Sequence, residues 1–196
     1  MEIRFKSKKE IEKLLKEKIR NFHYYIFGNE PQIITNNSIL NFFQLARYDD
    51  KKKRYVVYPT NLYFSLNAFS LIRDVGRKTK INLYFFTDFP YAVHFENLGV
   101  EDLIVGIASH EVRHFVQDVF KIKLLDSNSL IKEIKIEKFG GLLKLEDIND
   151  EELDASMVEI LCVYYSSKRS SDYEIAEIIK SDAEEIKRKF STYLRG

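Results

Sequence analysis

The sequence predicts an α+β fold: an N-terminal helix, then a twisted, mostly antiparallel sheet, then a helical C-terminal part. Apolar residues recur at helical spacing near the N-terminus, β-branched and aromatic residues cluster in short runs between Ile33 and Glu96, and helical spacing returns from Val100. A chain of 196 residues suits a single domain. We divide it into an N-terminal helix at 1–30, a sheet region at 31–98 and a helical region at 99–196.

The first helix is predicted from Lys8 to about Tyr24. Ser7 and Glu10 have the spacing of a capping box, in which each side chain accepts a backbone N–H of the first turn. One face of this segment carries most of its apolar side chains, as expected for a helix that packs on a core. These side chains are Ile11, Leu14, Leu15, Ile19, Phe22 and Ile26.

The sheet region contains several runs with strand character. Ile39–Arg47 and Arg54–Tyr58 flank a polar turn at residues 49–53, a pattern that predicts a hairpin. The basic run at residues 51–54 adjoins two aspartates, so we interpret it as a solvated turn and not as a nucleic-acid site. Further strands are predicted at Leu62–Leu66, Ile81–Phe86 and Tyr91–Glu96.

Helical periodicity returns from Val100 to about Lys121, after Gly99 and with two acidic residues in the first turn, where the helix dipole favours them. Residues 132–145 are ambiguous, because their two glycines suit either a hairpin turn or the end of a short helix. Two more helices are predicted, Asp150 to Ser167 and Asp172 to Leu194.

Composition and charge exclude several classes of protein. The chain is 45% hydrophobic and 31% charged, with 31 basic and 30 acidic residues and a net charge of +1, so no broad field attracts nucleic acid or anionic lipid. No apolar run approaches the roughly 18 residues of a membrane-spanning helix, and the N-terminal residues do not resemble a signal peptide. The one cysteine, Cys162, suits a reducing compartment. We expect a cytoplasmic protein without nucleic-acid or membrane partners and leave its oligomeric state open.

The segment His110-Glu111-Val112-Arg113-His114 carries the chemistry. Two histidines four residues apart lie on one helix face, where their ring nitrogens can bind one Zn²⁺. Glu111 is rotated about 100° away around the helix, yet it can reach a zinc-bound water as general base. Arg113 departs from the usual pattern, in which the two residues between the histidines are uncharged. A guanidinium beside a dication is unfavourable unless an acid offsets its charge or the side chain points away.

A zinc site needs a third protein ligand. The other histidines, His23 and His94, both precede the motif, and Cys162 is better explained as a small buried hydrophobe. A carboxylate remains, and the acidic cluster at residues 150–154 opens the next helix.

From Gly99 to Tyr165, about a third of the chain, the sequence resembles the gluzincin metallopeptidases, in which the His-Glu-x-x-His motif is followed by a glutamate ligand on a later helix. In many of these enzymes small residues follow the ligand glutamate, and an aspartate is usual four positions on. Glu152 matches this pattern, with Ser156 in place of that aspartate. The resemblance implies a zincin-like domain that binds Zn²⁺.

The apolar stripe of the same helix leaves the third ligand open. Leu153, Met157, Ile160, Leu161 and Tyr164 form this stripe. It lies closer to Asp150 and Asp154 than to Glu152. We rank Glu152 first, Glu151 second and Asp150 third, with Asp154 expected to orient a ligand histidine.

The sequence thus predicts a zinc metallopeptidase that hydrolyses peptide bonds of a peptide or protein substrate through a zinc-bound water, with Glu111 as general base. Tyr164 or Tyr165 could stabilise the tetrahedral intermediate, and Ile81–Phe86 or Tyr91–Glu96 could bind the substrate backbone by strand addition. The alternative is a catalytically inactive binding or regulatory protein that keeps the metallopeptidase scaffold. Arg113 and Ser156 favour this alternative.

Overall fold

A computed structural model describes residues 7–38, 44–66, 85–86, 90–91, 99–125 and 149–195. The helices within these ranges are α1 (Lys8–Phe27), α2 (residues 59–66), α3 (Val100–Phe120), α4 (Asp150–Ser167), α5 (Asp172–Lys180) and α6 (Ala183–Arg195). The strands are β1 (Ile33–Thr35), β2 (Ala46–Asp49), β3 (Arg54–Val57), β4 (Phe85–Phe86) and β5 (Pro90–Tyr91). This mixture of helices and a small sheet agrees with the α+β class.

Helix α1 begins where the capping box predicts. Ser7 accepts the backbone N–H of Glu10, and the Glu10 carboxylate accepts the N–H of Ser7 at 2.7 Å. Gly28 ends the helix in the left-handed conformation that glycine adopts without strain, three residues later than the predicted end. The predicted apolar face packs on the core, which confirms the helical period of this segment.

The described strands form two sheets. Strand β2 pairs antiparallel with β3 across the polar turn, which confirms the hairpin, although β2 is shorter than predicted and residues 39–43 lie outside the described ranges. Strand β1 runs parallel to β3, so this three-stranded sheet is mixed, with the order β1-β3-β2. Strands β4 and β5 form a separate antiparallel pair. Strand β4 lies within the predicted strand Ile81–Phe86, and β5 overlaps the predicted strand Tyr91–Glu96 only at Tyr91; the other residues of those two predicted strands are not described.

The predicted strand Leu62–Leu66 is wrong, since these residues belong to helix α2. Pro59 occupies the first helical position, where a missing N–H has no effect, and Leu62 N–H donates to Tyr58 O at 3.0 Å. Leu62 and Leu66 are both buried at helical spacing, whereas Phe64 between them is exposed. Leucines four residues apart lie on the same face of a strand and also on the same face of a helix, so this spacing alone did not distinguish the two.

Helix α3 is the centre of the C-terminal part, and it packs mainly against α4 on one side and α1 on the other. Its bounds agree with the prediction, and Asp102 accepts the N–H of Gly99 at 2.8 Å. Helix α4 also begins and ends as predicted, with the Asn149 side chain accepting the N–H of Glu152. Every residue of α4 from Leu153 to Val163 is buried, so the stripe used to orient this helix does not mark a single face.

The single helix predicted from Asp172 to Leu194 is wrong, because the chain breaks at Ser181 into α5 and α6. Ser181 has an extended backbone, and Asp182 then caps α6 by accepting the N–H of Glu185 at 3.0 Å. An aspartate followed three residues later by a glutamate is a signal for the start of a helix. The helical spacing of apolar residues continues across this point, so that spacing alone did not indicate the break. The ambiguous segment 132–145 lies outside the described residues.

None of the helices in the described ranges is both long enough and apolar enough to cross a membrane.

Candidate metal centre

Helix α3 places His110 and His114 one turn apart, with their rings in an edge-to-face arrangement and centroids 4.9 Å apart. The Nε2 atoms of the two rings are 3.1 Å apart. Both rings are part-buried at the contact between α3 and α4. The two histidines of the motif therefore aim the same ring nitrogen at one point.

Glu152 reaches this point from the first turn of α4. Its Oε2 lies 3.3 Å from His110 Nε2, and its Oε1 lies 3.4 Å from His114 Nε2. Within the described parts of the chain, His110, His114 and Glu152 form the group whose ligand atoms lie close enough together to hold a metal ion. Neighbouring Glu151 and Asp150, ranked second and third, do not belong to this group.

The separations of these atoms fit a zinc ion. Tetrahedral zinc with bonds of about 2.0–2.2 Å to nitrogen and oxygen places its ligand atoms about 3.3–3.5 Å apart. The Nε2–Nε2 separation of 3.1 Å lies close to this range, as do the separations of 3.3 and 3.4 Å from the two nitrogens to Glu152, which end on different oxygens of its carboxylate. Two imidazoles and one carboxylate are also a ligand set that catalytic zinc sites use, with a fourth position left for water.

The charges at this point favour a cation. Burial lowers the pKa of His110, but its hydrogen bonds with Glu152 and Glu159 outweigh burial and raise that pKa well above its ordinary value. The same contacts with both histidines hold the pKa of Glu152 far below its ordinary value, although burial opposes them. The carboxylates around the two histidines therefore stabilise positive charge at this point. Protons can carry this charge, or a metal ion that displaces them can carry it.

Glu111 lies on the same helix but faces the sheet. Its side chain is buried, and its Oε2 accepts the backbone N–H of Tyr48 in strand β2 at 2.5 Å. Burial raises the pKa of Glu111, and the nearby His110 and His114 partly offset this increase. The Tyr48 hydroxyl donates to Asp118, which lies two turns after Glu111 on α3, so this one residue attaches β2 to the helix at two points.

Glu159 supports His110 from behind. Its Oε2 lies 3.0 Å from His110 Nδ1, and because a carboxylate only accepts, this ring nitrogen carries the proton and Nε2 is left for the metal. Gly106 makes this contact possible, since a Cβ built there would lie 2.7 Å from Val163 Cγ2 and 3.3 Å from Glu159 Cγ. The glycine thus lets α3 and α4 approach closely at the level of Glu159.

Gln117 supports His114 in the corresponding way. Its Oε1 lies 2.9 Å from His114 Nδ1, and its Nε2 donates to Asp154 Oδ2 at 2.8 Å and to the backbone carbonyl of Glu151 at 2.9 Å. Asp154, expected to orient a ligand histidine, is connected to His114 through Gln117 in the described contacts.

Arg113 points away from the metal cluster. Its guanidinium is fully buried and forms a two-point ion pair with the buried Asp154, with Nε–Oδ2 at 2.6 Å and Nη2–Oδ1 at 3.0 Å. The acid and the orientation that a positive charge at this position requires are both present. Arg113 is therefore compatible with a neighbouring dication.

Two supporting residues, Glu159 and Gln117, were missed at the level of sequence. Gln117 had a local signal, because it lies three positions after His114 on the same helix. Glu159 had a weaker one, since it lies two turns after Glu152. Cys162 is fully buried, and burial raises the pKa of its thiol to about 12, as expected of a core cysteine. The rings of Tyr164 and Tyr165 contact each other edge to face.

Comparison with known proteins adds no relative to this description. No protein-family model, no curated protein and no solved structure matches the chain.

Proposed function

We propose that the protein is a zinc-dependent metallopeptidase of the gluzincin type. The observation that carries the proposal is the convergence of His110, His114 and Glu152 at separations close to those of zinc ligands, on a helix that also carries Glu111, the buried glutamate of the His-Glu-x-x-His motif. The substrate class is a peptide or protein chain. The motif and the position of Glu152 in the first turn of the later helix α4 support the gluzincin assignment.

Each residue has a defined role in this proposal. His110, His114 and Glu152 would hold the zinc, which when bound supplies a Lewis acid that brings the pKa of water toward 7. Glu111 accepts a proton from the attacking water and delivers it to the amine that leaves. Burial raises the pKa of Glu111, which is the direction that a general base for this exchange needs.

The first experiment measures zinc content by elemental mass spectrometry in the wild type and in the matched variants Glu152→Gln and Glu151→Gln. We expect about one zinc per chain in the wild type and in Glu151→Gln, and loss of most zinc in Glu152→Gln. Both substitutions remove one acidic charge from adjacent positions of α4, so a difference between them reports the ligand and not the net charge. A wild type that holds no zinc after zinc is added back would overturn the proposal.

The second experiment tests catalysis with zinc-loaded protein and a fluorogenic peptide library. Glu111→Gln keeps a side-chain oxygen that can accept the Tyr48 N–H, so we expect it to fold and hold zinc yet lose peptide cleavage by a factor of at least about 100. Glu101→Gln, on the exposed side of the same helix, is the control and should cleave at the wild-type rate. Cleavage that persists in Glu111→Gln would remove Glu111 from the mechanism.

One observation favours a second candidate, a non-catalytic protein that uses the metal cluster for structure. The Glu111 carboxylate is only 8% exposed and already accepts the backbone N–H of Tyr48, so it has a structural role whether or not it acts as a base. The same two experiments separate the candidates. A structural zinc protein would hold zinc through Glu152, lose thermal stability when zinc is removed, and show no peptide cleavage in the wild type.

A further inference from the structure

A continuous set of buried and part-buried hydrogen bonds joins His114 to the C-terminal helices. It starts at His114 Nδ1, passes through Gln117 to Asp154, and continues through Arg113 to the break between α5 and α6. At that break Arg113 Nη1 donates to the carbonyl oxygens of Ile179 and Ser181, each at 2.6 Å. Metal binding by the three ligands does not by itself require any of these groups.

The orientation of the Gln117 amide follows from its partners. Its nitrogen faces two pure acceptors, the Asp154 carboxylate and the Glu151 carbonyl, and it has one hydrogen for each of them. The reversed amide would place its oxygen against both acceptors, which is an unfavourable contact between lone pairs, and would remove one donor from each of them. The amide oxygen must therefore face His114 Nδ1.

This orientation determines which nitrogen of His114 carries the proton. An amide oxygen only accepts, so Nδ1 must donate, and Nε2 is the ring nitrogen left to bind a metal. Nε2 faces the point shared with His110 Nε2 and Glu152. Gln117 thus presets both the tautomer and the direction that a metal ligand needs.

Asp154 in turn has little freedom to move. Its two oxygens accept from Arg113 on one side, from Gln117, and from the backbone N–H of Leu125 at 3.3 Å. Because both members of the Arg113–Asp154 pair are fully buried, breaking their geometry would leave an uncompensated charge. The acceptor that holds the Gln117 amide is accordingly rigid.

We propose that Gln117 is a positioning residue for the metal site, which holds His114 in its ligand orientation because the buried Arg113–Asp154 pair fixes the Gln117 amide. The inference rests on the proposed metal site and adds to it a residue outside the three ligands. It also gives Arg113, the unusual residue of the motif, a function at a distance from the metal.

The test compares Gln117→Met with Gln32→Met. Methionine matches the length and volume of glutamine but cannot form these hydrogen bonds, and Gln32 is exposed, so the control makes the same chemical change away from the site. Zinc affinity is measured by competition with a chelator. We expect Gln117→Met to bind zinc about 10- to 100-fold more weakly than the wild type and Gln32→Met to match the wild type.

A second measurement separates positioning from general packing. Long-range ¹H–¹⁵N spectra of the zinc-loaded protein show which ring nitrogen of His114 carries a proton and how fast that proton exchanges with water. We expect a slowly exchanging proton at Nδ1 in the wild type and faster exchange in Gln117→Met, because methionine offers no comparable acceptor. The wild-type spectrum needs no variant to fold, so a His114 that binds zinc through Nδ1 in the wild type would overturn the inference.

The outcomes also separate this inference from the proposed function. A wild type without zinc affinity contradicts the metal site itself. A wild type that binds zinc, with Gln117→Met binding equally well, contradicts only the positioning role. Reduced thermal stability of Gln117→Met with unchanged zinc affinity has the same meaning, because it would show that Gln117 contributes packing alone.

Discussion

The two histidines of the motif are four residues apart on one helix, yet they are supported in different ways. His110 is held directly by a carboxylate, Glu159, which reaches it from α4 where Gly106 allows close packing. His114 is held by an amide, Gln117, which belongs to its own helix and depends on a buried ion pair behind it. A carboxylate adds negative charge beside the metal, whereas an amide provides only direction. The support of His110 therefore includes a negative charge, whereas the support of His114 fixes only the orientation of its ring. We call these the His110 side and the His114 side of the site.

The largest effect is expected from Arg113→Met, which affects the His114 side. Loss of the guanidinium leaves Asp154 buried without its partner, and we expect the free energy of unfolding to fall by about 3–5 kcal/mol. Chemical denaturation of the zinc-free protein measures this change. The hydrogen bond between His110 and Glu159 does not involve Arg113, so the resonances of His110 should change little.

The double variant Arg113→Met with Asp154→Leu sharpens this result. Replacing a buried ion pair by apolar side chains of similar volume is often neutral, so most of the lost stability should return. Zinc affinity should nevertheless be lower than in the wild type, because the Gln117 amide has lost its carboxylate acceptor. Full recovery of zinc affinity together with stability would show that the Asp154 carboxylate is not needed to hold His114 in its ligand orientation.

An intermediate effect is expected from Gly106→Ala, which affects the His110 side. The new methyl group would collide with Val163 and lie too close to Glu159. Such overpacking lowers the free energy of unfolding by about 1–3 kcal/mol. The higher helix propensity of alanine offsets about 1 kcal/mol of this loss. We expect a modest loss of stability and weaker zinc binding. Adding Val163→Ala should relieve the collision and restore both; failure to restore zinc affinity would argue against this packing explanation.

The smallest effect is expected from Glu159→Gln, which gives His110 the same kind of support that His114 has. The amide oxygen can still accept from Nδ1, but without the negative charge the ring becomes a weaker ligand. We expect zinc affinity to fall by about tenfold, at the low end for residues that support a ligand, as measured by chelator competition. Equal affinity of this variant and the wild type would mean that charge at this position contributes nothing.

Local signals account for what could be predicted from the sequence. The capping box at Ser7, the helix that carries His110 and His114, and the start of α4 all depend on patterns within a few residues. The same patterns misled at Leu62–Leu66, because residues at positions 62 and 66 satisfy a strand period and a helix period alike. There the decisive signal was Pro59 at the first helical position.

The supporting residues could not be derived from the same patterns, since they depend on how α3 and α4 meet. Helix α4 is buried on all sides along most of its length, so no apolar stripe indicates that Glu159 faces His110. Arg113 looked out of place beside a metal because its partner Asp154 lies 41 residues away in the chain. Long-range pairing of this kind is fixed by tertiary packing and leaves no periodic signal.

The hydrogen bond from Tyr48 to Glu111 has a consequence for how this site can vary during evolution. The donor is a main-chain N–H, which nineteen of the twenty amino acids supply, so the orientation of Glu111 does not depend on the identity of residue 48. This contact excludes only proline at position 48, whereas the hydrogen bond from the Tyr48 hydroxyl to Asp118 is a separate constraint on the side chain. In a set of related sequences the trace of this contact would therefore be a missing proline, and not a conserved side chain.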